Sequence, residues 1–144
     1  TFLFGSRSDF DALCHLVVTE LKDKYKDIKR IAYTCRHETC VLESERQRWE
    51  NIHSYLKKRE VHLLGVEEEG QHKNKYSSGK AGYIERNEAM IDCSDFCVFY
   101  YDENYQPETR KRSKGGVYYQ PKSGTKLAYE YARRKKKIII NVRQ

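Results

Sequence analysis

The chain has 144 residues, enough for one domain and too few for a second with its own core. Hydrophobic residues make up 38% and charged residues 34%, and no apolar run approaches the ~18 residues of a membrane-spanning helix. The formal charge of +7 favours polyanionic partners: nucleotides, nucleic acid or acidic membranes.

Thr1 to Phe4 is a short apolar run that ends at Gly5-Ser6-Arg7-Ser8. It reads as a buried strand feeding a tight turn. Ser8 or Asp9 then caps a helix over about 9–25, because Phe10, Leu13, Cys14, Val17, Val18 and Leu21 recur at helical spacing. Ile31 to Cys35 is a second strand, followed by the polar stretch Arg36-His37-Glu38-Thr39. Ser44 opens another helix, with Trp49, Ile52, Tyr55 and Leu56 on one face and Gln47 completing a capping box. Val61 to Val66 is a third strand, and Glu67 to Gly79 reads as a loop.

Tyr83 to Cys93 is the next helix, with Ile84, Asn87, Met90 and Ile91 along it. Phe96 to Tyr101 is a continuous apolar run, as expected for a central strand covered on both faces. Asp102 to Lys122 is a long polar insertion with both prolines, expected to be a loop of functional or disordered kind. Ser123-Gly124-Thr125 opens the last helix, which ends in the basic run Arg133 to Lys137, and Ile138 to Val142 is the final strand.

Strands and helices thus alternate along the chain. That order predicts an α/β fold: one Rossmann-like domain over 1–144, with an open, mainly parallel sheet and helices on both faces. Ligands of such sheets lie beyond the carboxyl ends of the strands. Gly5 lets the backbone approach a ligand, Ser6 and Arg7 supply a hydroxyl and a guanidinium, and the helix start supplies free N–H groups. Lys122, Ser123, Gly124 and Thr125 repeat that chemistry at the last helix. Glu85, Arg86 and Asn87 stand early on the third helix, where Arg86 suits a phosphate and Asn87 a base or ribose. Arg36 and His37 follow the second strand, and His37 with Glu38 is a candidate acid–base pair. Each set also has a structural reading, as capped turns and surface ion pairs.

The five cysteines are odd in number. Cys35-x4-Cys40 and Cys93-x3-Cys97 lack the two-residue spacing of common zinc motifs. No metal, cofactor or disulfide framework is expected. The first residues are too few for a signal peptide, so a cytoplasmic location is expected.

Gly5-Ser6-Arg7, then Arg86-x3-Met90-x3-Ser94-Asp95, an apolar strand and a Gly-Thr turn opening a helix resemble the SLOG superfamily over nearly the whole chain. That group unites the Lonely Guy enzymes, the DprA/Smf proteins and the small YpsA/YspA-like proteins, and the resemblance is closest to the last. It implies a modified Rossmann fold that binds nucleotides or nucleotide derivatives. In the Lonely Guy enzymes an Arg, matched by Arg86, acts with a Glu three residues after the Gly-Thr pair. That position is Ala128 here, and Glu130, two residues further on, lies about 200° round the helix from it. The resemblance therefore implies a binding module more than an enzyme, with Arg86, Glu85 and Glu38 the remaining catalytic candidates.

The expected function is binding of a nucleotide-derived phosphate ligand, ADP-ribose-like or similar, as a sensor or sequestering protein. Two alternatives stay open: hydrolysis of a nucleotide N-glycosidic bond, and binding of single-stranded nucleic acid through basic clusters and tyrosines. Tyr118 and Tyr119 are candidates to stack on a base from a lid, or simply to pack the insertion down. A homo-oligomer is compatible with the apolar, Tyr-rich helices, and no membrane partner is expected.

Overall fold

The computed structural model describes residues 1–5, 8–34, 70–73, 80–112 and 115–143. The elements in chain order are β1 (Phe2–Phe4), α1 (Asp9–Lys24), β2 (Arg30–Thr34), β3 (Gly70–Lys73), α2 (Lys80–Asp92), β4 (Phe96–Phe99), β5 (Arg110–Lys111), β6 (Tyr118–Tyr119), α3 (Gly124–Arg134) and β7 (Ile138–Asn141). The chain is α/β, with parallel pairing in both of its larger sheets. Its contacts divide it into two units, 1–86 and 87–144. Among the described residues no helix is long and apolar enough to cross a membrane.

In the first unit, β1, β2 and β3 form a parallel sheet in that order. Residues β1–α1–β2 are a βαβ unit, the connection that parallel neighbours require. The apolar spacing of the first helix holds, but its buried side is only partly the expected one. Ala12, His15, Leu16 and Val18 are buried, whereas Leu13, Val17 and Leu21 are 41%, 45% and 40% exposed. The imidazole explains the rotation: His15 meets the Phe4 ring edge-on at 4.9 Å between centroids, and the turn below it accepts Arg30. There Arg30 Nη1 donates to Thr19 Oγ1 at 3.0 Å, and Thr19 Oγ1 donates to the His15 carbonyl at 2.8 Å. A polar register thus seats the helix, and it outvotes the larger aliphatic stripe.

The strand beside β2 is Gly70–Lys73, within the stretch expected to be a loop. Its Gly-Gln-His-Lys sequence has little strand character. Backbone pairing to β2 outweighs that weak local preference. The expected strand Val61–Val66 and the expected helix from Ser44 lie outside the described residues.

In the second unit, β4 and β7 pair in parallel, with Phe96 opposite Ile138 and Val98 opposite Ile140. Asn141 extends the ladder with its side chain: Tyr101 N–H donates to Asn141 Oδ1 at 3.0 Å, and Asn141 Nδ2 donates to the Tyr101 carbonyl at 2.9 Å. Helix α3 covers one face, burying Ala128, Tyr131 and Ala132 with Ile91, Cys97 and Phe99. Tyr129 stacks on Tyr101 at 4.4 Å and meets Phe99 edge-on at 5.4 Å. β4 was expected to be covered on both faces, but its burial alternates. Phe96 and Val98 are 61% and 48% exposed while Cys97 and Phe99 are buried. The helix α3 covers the Cys97–Phe99 face, and alternate side chains of a strand must point the other way.

The insertion is not a plain loop. β5 and β6 form an antiparallel hairpin, Arg110 opposite Tyr119 and Lys111 opposite Tyr118. Gly115 and Gly116 turn it with φ of +87° and +64°, values that side chains on an L-residue disfavour.

Candidate functional site

The turn after β1 is built by its own cap. Ser8 is the N-cap of α1, and its Oγ accepts from the Asp11 N–H at 2.9 Å. Its hydroxyl donates to Asp11 Oδ2 at 2.7 Å, while Asp11 Oδ1 accepts from the Gly5 N–H at 3.2 Å. Ser8 thus caps the helix, and the Asp11 carboxylate reaches back to the Ser8 hydroxyl and to the end of β1 instead of closing a capping box on the Ser8 N–H. One carboxylate thereby ties the end of β1 to the start of α1.

Arg86 of α2 comes to the same place and is only 6% exposed. A β-carbon on Gly5 would lie 2.8 Å from Asp11 Oδ2, 3.0 Å from Arg86 Nη2 and 3.2 Å from Arg86 Cζ. Glycine is therefore favoured here for room rather than for an unusual φ, since a β-carbon would push the two side-chain ends aside. The guanidinium also stands 5.2 Å from the centre of the Tyr83 ring, a cation–π distance. Burying a guanidinium is costly unless charges and hydrogen bonds offset it, and Asp11 puts a negative charge beside the turn. The same charge acts on the next turn of α1. The Cys14 thiol is pushed up to about 11, first by burial and then by Asp11.

Chemically the corner offers a forked cation, suited to phosphate or carboxylate, and an acceptor suited to hydroxyl groups. Sequence reasoning found Gly5 and Arg86 and missed Asp11. The signal was available in Ser8-x-x-Asp11, an N-cap serine with an acid three residues on that looks merely local.

The other expected site residues are placed as follows. Glu85 and Asn87 are half-buried on α2, on either side of Arg86 in sequence. Asn87 begins the second unit. Ser6, Arg7, Arg36, His37 and Glu38 lie outside the described residues. At the start of α3, Ser123 is the N-cap, accepting from the Lys126 N–H at 3.0 Å. Gly124 is exposed, and a β-carbon there would meet nothing within 4 Å. Thr125 is exposed beside it. Lys122 forms an ion pair with Glu130, Nζ to Oε2 at 2.8 Å, and that hydrogen bond is the main reason the Glu130 carboxyl is held below its usual value. Much of the Lys122 charge at this turn is therefore answered within the chain. Ala128, the position of the Lonely Guy glutamate, is 8% exposed in the core under α3. A carboxylate there would be buried among aromatic rings.

No family model, no curated protein and no solved structure matches this chain.

Proposed function

We propose that this protein binds a nucleotide or nucleotide-derived phosphate ligand at the Gly5 turn, with Arg86 as the phosphate contact. One observation carries the reading: Arg86, only 6% exposed, packs its guanidinium against Gly5, where a β-carbon would crowd both it and the Asp11 carboxylate. A buried Arg aimed at backbone between a strand end and a helix start is an arrangement for gripping an anion. Asp11 narrows the chemistry. A bare polyphosphate meets repulsion from its carboxylate, whereas a sugar phosphate offers hydroxyls to Asp11 and phosphate to Arg86. The architecture that accommodates such a ligand is a Rossmann-like open sheet, supported by the βαβ units in both halves of the chain. The SLOG resemblance is part of the same proposal and rests on the motifs quoted above.

A second reading, cleavage of an N-glycosidic bond, is favoured by one feature: Asp11 supplies a carboxylate on the Arg86 side of the turn, although Ala128 does not. Isothermal titration with AMP, ADP, ADP-ribose and free adenine, followed by chromatography of each mixture, separates the two. Binding of the phosphate-bearing compounds with the ligand recovered intact supports the binding module. Released adenine moves the assignment to the hydrolase, and heats no larger than those of free adenine remove the phosphate site altogether.

A further inference from the structure

We propose that the β5–β6 hairpin is a docking arm for single-stranded nucleic acid. The charge of the chain points there first. Between Glu108 and Glu130 stand Arg110, Lys111, Arg112, Lys114, Lys122 and Lys126, and no acidic residue. These are six of the 28 basic residues, so the remaining 22 face 21 acidic ones. Nearly all the net charge of +7 therefore lies in this one stretch, half of it on three consecutive hairpin positions. Arg110, Lys111 and Arg112 are exposed and make no ion pair among the described residues.

The hairpin adds rings to that charge. Tyr118 is 65% exposed and Tyr119 40% exposed. Cross-strand neighbours share a face, so the register puts Lys111 with Tyr118 on one face and Arg110 with Tyr119 on the other. Arg112, two residues beyond Arg110, returns to the Tyr119 face. The contacts agree: Lys111 Nζ lies 5.7 Å from the Tyr118 ring centre, and Arg112 Cζ lies 5.5 Å from that of Tyr119. One face of the ribbon thus holds Tyr118 beside Lys111, and the other Tyr119 between Arg110 and Arg112.

The ribbon is also held in shape. Arg112 N–H donates to the Val117 carbonyl at 2.9 Å, Thr109 Oγ1 donates to Gln120 Oε1 at 3.3 Å, and Gln120 Nε2 donates to the Pro107 carbonyl. A β-carbon at Gly116 would come within 3.2 Å of Lys111 Cε, so the lysine stem lies across the turn. A hydrogen-bonded, solvent-facing ribbon with aromatic planes beside cations fits a partner that offers phosphates and unpaired bases together. A single strand does so; a duplex hides its base faces, and an acidic peptide has charge without stacking surface.

The test is fluorescence anisotropy of the full chain with a labelled oligo(dT) of about 20 nucleotides. Binding is expected to weaken steeply as salt rises, and the Arg110→Ala, Lys111→Ala, Arg112→Ala triple variant to flatten the salt slope by roughly two. Tyr118→Ala with Tyr119→Ala is expected to weaken binding roughly tenfold or more, while the Phe pair retains it. Arg86→Gln is expected to leave oligonucleotide binding intact, which keeps this surface distinct from the Gly5 site. Absence of binding overturns the proposal, as does an unchanged affinity in the Tyr→Ala pair or a loss in Arg86→Gln. Equal binding of labelled polyglutamate overturns it in favour of an acidic protein partner.

Discussion

Replacing Gly5 by Ala would set a methyl carbon 2.8 Å from Asp11 Oδ2 and 3.0 Å from Arg86 Nη2. Both are ends of side chains, so the chain can yield: the Asp11 carboxylate, the tighter contact, must move, and the guanidinium beside it is crowded. The expected result is a modest loss of stability, about 1–3 kcal/mol by urea unfolding, with ligand affinity reduced at least as much as stability. A variant that binds normally would separate Gly5 from the ligand. Asp11 has its own readout in the thiols. Cys93 is exposed, whereas Cys14 is half-buried and its pKa is pushed up to about 11 by burial and by Asp11. A raised pKa keeps the thiol protonated, and therefore unreactive, until the pH approaches that value. At pH 8, mass-mapped iodoacetamide labelling should mark Cys93 well before Cys14. Asp11→Asn removes the charge that raises Cys14, so its alkylation should begin at lower pH than in the parent. No change in that onset would mean that the carboxylate does not act on α1 as described.

At the scale of elements, what was legible depended on how strongly a segment advertises its own structure. The helix from Asp9 and the strand from Phe96 were plain in apolar spacing. The face that α1 buries was not, because its anchor is the polar set His15, Thr19 and Arg30, which hydropathy cannot rank above Leu13, Val17 and Leu21. The strand Gly70–Lys73 was illegible because its pairing with β2, not its side chains, makes it a strand. The hairpin was missed although Gly115-Gly116 is a turn signal, since its strands are short and basic. At the start of α3 the Ser-Gly-Thr turn was read correctly as a helix opening, and Ser123 is its N-cap. Ala128 yields a test at this scale. Because it lies under α3 with Tyr131, Phe99 and Ile91, Ala128→Glu should cost more than about 2 kcal/mol in chemical denaturation and should create no glycosidase activity. A stable variant that released adenine from AMP would contradict both the burial and the binding-module reading.

For the whole molecule, charge and topology carry different information. The alternation of strands and helices was visible in sequence, and it predicts which ends of the strands can hold a ligand. The concentration of excess charge between Glu108 and Glu130 was equally visible, but its meaning waited on the hairpin that pairs each exposed tyrosine with cations. Four of the twelve residues expected at the ligand could be placed around named atoms: Gly5 and Arg86 at one turn, Lys122 and Ser123 already engaged within their own helix start. The central claim is the anion grip at the first turn. It is tested most directly by thermal unfolding of the parent chain and of Arg86→Gln, each with and without ADP-ribose at about 100 times its dissociation constant, where a native-state ligand adds ~2.7 kcal/mol. Comparing each protein with itself removes whatever stability Arg86→Gln loses on its own. A clear rise in Tm for the parent and none for the variant is the predicted result. An equal rise in both, or none in either, would contradict the assignment of Arg86 and with it the nucleotide site.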